Sequence, residues 1–187
     1  MKYLTDPRRL LVSAAIAVAG VAGPIGPAHA ATDRPDVPTK IEVEEGNKVF
    51  LVGHAIGVQI YPCTTSAAGF AWGPSTPRAD LFDQSGKLIA THFGGPTWQA
   101  KDGSTVVGRR VDGVVVDPTA LPWLLLSAAS TTVGPEGERF TKTTFIQRTS
   151  TVGGLPPAAA DCNTNTVGTT VEVAYTADYY FWKKSGV

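Results

Sequence analysis

Thr170-Val171-Glu172-Val173-Ala174-Tyr175-Thr176-Ala177-Asp178-Tyr179-Tyr180-Phe181-Trp182 is the stretch that decides the fold. Val171, Val173, Tyr175, Ala177, Tyr179 and Phe181 recur at every second position. Thr170, Glu172, Thr176 and Asp178 lie between them, joined later by Tyr180 and Trp182. Period two puts alternate side chains on opposite faces of a strand, whereas a helix would scatter the same six around its axis. The segment is therefore a long strand with one apolar face.

Working outward, the same grammar repeats. Val49 to Val52 and Gly57 to Tyr61 read as two strands, the second leading into Cys63. Residues 79–83 and 87–93 flank Gln84-Ser85-Gly86, and Thr97 to Ala100 and Thr105 to Val111 flank a turn with Asp102-Gly103. Both are hairpin signatures, because Gly and Asp-Gly accept the backbone that tight turns need. Trp123 to Ala129 suits either a short helix or a strand. Paired with the β-branched and aromatic run Phe140 to Arg148, it reads better as a hairpin. Twenty Gly and 14 Pro among 187 residues favour turns over long helices. The expected fold is all-β: a single-domain antiparallel β-sandwich or barrel, with few or no helices after the N-terminal segment.

Residues 1–30 read as an export signal. Lys2, Arg8 and Arg9 precede an apolar run from Leu10 to Val21, and Ala28-His29-Ala30 fits a small-x-small cleavage site. The run is shorter than the ~20 residues of a spanning helix, so no membrane span is expected in the mature form. Arg8-Arg9 also permits twin-arginine export. Residues 31–39 read as a flexible leader, and 40–187 as one domain. Cleavage removes Lys2, Arg8, Arg9 and Asp6, leaving 13 basic and 15 acidic side chains. The whole chain carries 16 of each, without the basic excess of a nucleic-acid binder. A secreted or periplasmic location makes a disulfide the default for Cys63 and Cys162.

No Gly-x-Gly-x-x-Gly after a strand, P-loop, His-Glu-x-x-His, Gly-x-Ser-x-Gly or complete EF-hand loop occurs, so no recognised catalytic motif is present, a dehydrogenase reading is unsupported, and no cofactor is expected. The richest local chemistry is His92-Phe93-Gly94-Gly95-Pro96-Thr97-Trp98 with Asp102-Gly103-Ser104 close behind. An imidazole, an indole and a carboxylate within eleven residues are able to converge on a small ligand. The competing reading is a tight connection in which Trp98 plugs the core and Asp102 makes the turn. His54, among apolar neighbours, reads as a structural histidine or a ligand contact. A metal site would need His54 and His92 to approach each other and recruit Asp178 or Asp80; the spacing is not that of a metal-ligand set. Arg148 and Asp178 read as a pair, inside a barrel end or on the surface. Trp72, Trp98, Trp123, Trp182, Tyr61, Tyr175, Tyr179 and Tyr180 fill the core or offer a stacking platform.

Several of these pieces stand in a recognisable order: Gly57-Val58-Gln59-Ile60-Tyr61-Pro62-Cys63, His92 to Trp98, Asp102-Gly103-Ser104, Pro122-Trp123-Leu124-Leu125-Leu126, Ile146-Gln147-Arg148, Thr151-x-Gly153-Gly154 and Tyr175 to Phe181. The ensemble resembles the DUF3455 family of exported bacterial and fungal proteins over most of residues 47–183. The resemblance implies a common fold and an exported life, and it implies no catalytic residue.

Three functional readings follow. The first is a secreted β-domain binding a small molecule or glycan at the cell envelope, with His92, Trp98, Asp102, His54 and Asp178 as candidate contacts. The second is a small hydrolase or metal-dependent enzyme using His92. The third is a structural or protein-interaction domain without a pocket. The sequence carries no sign of oligomeric state.

Overall fold

The structure is a computed structural model and describes residues 34–186; the export signal expected over 1–30 lies outside them. Among the described residues nine strands follow in order: β1 Asn47–Ser66, β2 Gly69–Trp72, β3 Thr76–Phe82, β4 Leu88–Phe93, β5 Thr97–Ala100, β6 Thr105–Val114, β7 Trp123–Thr132, β8 Phe145–Gly153 and β9 Thr170–Lys184. Every neighbouring pair is antiparallel. The sheet runs β2-β1-β3-β4-β5-β6-β7-β8-β9, and β1 also pairs with β9. That last pairing closes eight strands into a barrel, with β2 folded back on the far end of β1. Of the two architectures expected, the chain adopts the barrel.

The two runs expected as separate strands, Val49 to Val52 and Gly57 to Tyr61, are parts of one twenty-residue strand, β1. Its residues His54 to Ile60 pair with β3 on one side and β9 on the other. A strand bonded on both edges stays continuous through a glycine-rich stretch, because its neighbours supply the partners that local propensity does not. Trp123–Thr132 is a strand and pairs with β8 as a hairpin.

An eight-stranded barrel is just wide enough for side chains to fill it. Here large rings fit against small residues. Trp98, Tyr175, Tyr179, Phe181 and Phe140 pack with Ala55, Ala79, Ala90 and Ala100. Gly57 shows how tight the wall is: a Cβ there would collide with the Arg78 carbonyl and Ala79. One end is closed by the 101–104 and 133–144 connections, with Phe140 fully buried. The other carries the 94–96, 115–122 and 154–169 connections. Along the inner face of β9, Tyr175 to Phe181 are buried, while Val171 and Val173 remain partly exposed. Inward side chains thus stay buried along most of the barrel and become partly exposed only at the rim of this second end, the open end.

A second apolar cluster lies outside the barrel. Ile41, Val43, Leu125 and Trp182 are buried together, with Val37, Val114 and Trp123 against them. Residues 34–39, read from composition as flexible, are held here. The Arg34 guanidinium sits 4.8 Å from the Trp182 ring and bonds the Val43 carbonyl. Gln147 accepts from Trp182 Nε1 (2.8 Å) and donates to the Ile41 carbonyl (2.7 Å). Docking on an outward-facing indole offsets the ordering entropy that polar, Pro-containing sequence otherwise leaves unmet.

Cys63 and Cys162 are bonded, with Cα atoms 5.4 Å apart, and no cysteine is free. The bridge pins the 154–169 segment to the end of β1, beside the open end. Among the described residues, no helix is long and apolar enough to cross a membrane.

Candidate functional site

The candidate contacts separate by face. His92 and Trp98 are direct cross-strand partners on β4 and β5, both pointing inward. Their rings stack at 4.2 Å with 4° between planes, and Tyr179 meets both edge-on. Trp98 is 1% exposed, so it fills the core and is not accessible to a ligand. Asp102 belongs to the closed end. It accepts from Ser104 N, Ser104 Oγ and Arg139 N, at 2.6–2.9 Å, stitching the 101–104 turn to the 133–144 connection. Partial burial works against its ionisation, yet the Ser104 and Arg139 hydrogen bonds hold its carboxyl below the usual range. The convergence expected of His92, Trp98 and Asp102 stops at the two rings: β5 carries the chain from the open end to the closed one between Trp98 and Asp102.

His54 and Asp178 are also cross-strand partners, on β1 and β9, and both face outward. His54 Nδ1 and Asp178 Oδ1 are 2.6 Å apart. His54 and His92 therefore lie on opposite faces of the wall. No group of three His, Cys, Asp or Glu converges among the described residues. Arg148 does not pair with Asp178 either. One residue of register separates them, because Thr149 opposes Asp178 while Arg148 opposes Tyr179. That single step puts the arginine inside the barrel and the aspartate outside.

His92 Nδ1 donates to the Thr97 carbonyl at 2.9 Å, so Nδ1 carries the ring hydrogen. Burial pushes its pKa down from 6.5 to about 4; the Thr97 bond opposes this, and the Arg148 charge adds to it. His92 is thus neutral in the fold near pH 7. Below about 6.5 the unfolded chain takes up a proton that the folded chain refuses until about 4. The unfolded state binds more protons in that window, so stability falls as pH drops through it, by roughly 3 kcal/mol. Urea titrations at pH 7 and pH 4.5 should show His92→Phe losing clearly less stability on acidification than the native chain. Equal losses would reject the assignment.

The open end has a different character. Gln59, Tyr61, Tyr175 and Arg148 face inward there, with Ser75 above them. Ser75 Oγ donates to Gln59 Oε1 at 2.6 Å, and Tyr61 donates to the Gly154 carbonyl at 2.6 Å. The Tyr175 and Tyr179 hydroxyls are 3.4 Å apart. Arg148 donates from Nε (3.2 Å) and Nη2 (2.9 Å) to the Pro122 carbonyl and reaches the Tyr179 hydroxyl. Burial raises all three phenols, so they stay protonated. The guanidinium is the one formal charge in this set. It is partly exposed, and among the described residues it has no carboxylate partner.

An arginine inside a barrel is costly unless it is paired or wetted. At least two of its five N–H donors remain after Pro122 and Tyr179 are served. The sequence marks Arg148 as a polar residue among apolar ones, and the pairing with Asp178 expected from it fails because the two lie on opposite faces. The signal was the parity with Tyr179, visible only once the β8–β9 register is known.

A family model described as "Protein of unknown function (DUF3455)" matches residues 44–183. No curated protein and no solved structure matches the chain.

Proposed function

This chain belongs to the DUF3455 family, whose description assigns no activity, and from its own residues we propose that it is an exported barrel that binds a small molecule or sugar at its open end. The observation that carries this reading is Arg148, inward-facing, partly exposed and without a carboxylate partner among the described residues. Around it stand neutral polar groups, Gln59, Tyr61 and Tyr175, and beneath it the rings of Tyr179 and His92. Few convergent polar groups over an apolar floor are the usual make-up of a small-ligand site. The disulfide supports an oxidising compartment, as export would give. His92 enters as part of the floor, since its buried, neutral ring is poorly placed to exchange protons with solvent.

Native mass spectrometry of the full chain, exported to an oxidising compartment, tests this. With monosaccharides and small organic acids added at millimolar concentration, a small-molecule adduct is expected. Val173→Trp, a partly exposed inward position at the rim, should remove the adduct while the melting temperature stays within about 3 °C, as a tolerated surface-level change does. No adduct from any added compound, or one that Val173→Trp leaves intact, would overturn the reading.

A further inference from the structure

Resting on the reading above, we infer that the bound molecule carries an oxyanion, a carboxylate or a phosphate, held between Arg148 and a second arginine, Arg110, on the inner wall of the open end. Arg110 reaches that wall through the alternation of β6. Val106 is fully buried. Gly108 presents its bare Cα to Leu126 and Trp98, both in the barrel core. Arg110 follows on the same face, opposite Leu126. A bulge between Arg110 and Asp112 then turns Asp112 outward, opposite Leu125, where its Oδ1 receives Lys40 Nζ (3.0 Å) and Gly113 N (2.7 Å).

Gly113 faces inward again, opposite Leu124. Arg110 Nη2 lies 2.9 Å from the point where a Gly113 side chain would begin, so the guanidinium occupies the space that glycine leaves. Gly113, Leu124 and Arg148 form one row across β6, β7 and β8. Two strand spacings separate the row's ends, roughly 10 Å. Two long cationic side chains thus face inward at the same end of the barrel, from strands on either side of β7.

Among the described residues neither Arg110 nor Arg148 forms an ion pair; the carboxylate whose field reaches Arg110 is that of Asp112, which is already held by Gly113 N and Lys40. The ion pairs among the described residues are Lys40–Asp112, His54–Asp178, Arg78–Glu172 and Lys184–Glu44. The titratable groups that face inward beside Arg148, namely Tyr61, Tyr175, Tyr179 and His92, are neutral near pH 7. Like charges at one opening repel each other and raise the local concentration of anions. Guanidinium forks match the paired oxygens of carboxylate and phosphate.

The test titrates the full chain with D-glucuronate, D-glucose and inorganic phosphate by calorimetry. Glucuronate should bind at least about tenfold tighter than glucose, and Arg148→Gln and Arg110→Gln should each weaken it by about tenfold or more. Glucose binding should not change. Displacement of glucuronate by phosphate would mark phosphate-bearing molecules as the source, and its failure would mark carboxylates; both uphold the inference. Arg110 is exposed, so its variant folds even where Arg148→Gln does not. Equal binding of glucose and glucuronate, unmoved by either substitution, overturns the inference and leaves the small-molecule reading standing. So does an absence of glucuronate and phosphate binding while the Val173→Trp-sensitive adduct persists. If that adduct is missing too, both fall.

Discussion

Replacing Cys63 and Cys162 together with alanine is expected to cost about 4–5 kcal/mol, the chain-entropy value for a loop of this length. The bridged residues are 99 apart in sequence. For a domain of this size that corresponds to a melting temperature lower by about 10–20 °C. A local effect accompanies the global one. Among the described residues, the 154–169 segment is otherwise tied to the barrel by Leu155 packed on the core, Tyr61 to the Gly154 carbonyl, Trp72 Nε1 to the Ala158 carbonyl (3.1 Å), the Cys63 Sγ–Thr166 Oγ1 contact (3.7 Å), and the backbone exchange of Cys63 with Gly168 and Thr169 (2.9 Å each). Hydrogen exchange of the double variant should therefore rise first in 154–169. Calorimetric scans of oxidised, reduced and double-alanine chains check both statements. A shift below about 2 °C would show that the unfolded chain gains little freedom when the bond is lost.

Trp98→Ala is the second large effect, with an expected loss of about 3–5 kcal/mol, the range for emptying a buried ring site. The indole stacks on His92, meets Tyr179 at 5.3 Å and Phe181 at 6.0 Å, and covers the bare Cα of Gly108. Backbone on every side is held by the closed ladder, so the site has little room to collapse. Small domains have only about 5–15 kcal/mol in total, so this variant sits near the edge of folding. Trp98→Phe is the informative partner. The buried Nε1 has no hydrogen-bond partner among the described residues, so phenylalanine loses packing area but no bond. It should cost well under half as much. Urea unfolding with an unchanged slope measures both. A Trp98→Ala loss within 1 kcal/mol would mean that the interior is loosely packed.

These two sites were legible to different degrees. The cysteines could be paired from compartment and count, because oxidising conditions leave two cysteines little alternative. The period-two face of β9 was legible from Val171 to Phe181, since burial selects alternate residues wherever one face meets a core. The hairpins around Gly86 and Asp102-Gly103 were legible because turn geometry is a property of a few adjacent residues. β2 left no readable signal, being four residues with three exposed.

The candidate contacts were less legible. Sequence proximity suggested that His92, Trp98 and Asp102 share a site, but antiparallel strands carry near neighbours to opposite ends of a barrel. His54–Asp178 and Arg148 illustrate the same point across the sheet. The separation of inside from outside turns on single steps of register, and on bulges such as the one between Arg110 and Asp112.

By itself, the amino-acid sequence determined the alternation, the turns, the bonded cysteines and membership of the family, all of which depend on residue identity or short-range geometry. Only the tertiary structure decided that β1 and β9 close the barrel, that Asp178 looks outward, and that Arg110 and Arg148 face inward at the same end. Those outcomes depend on long-range pairing, where a shift of one residue exchanges the two faces of a strand.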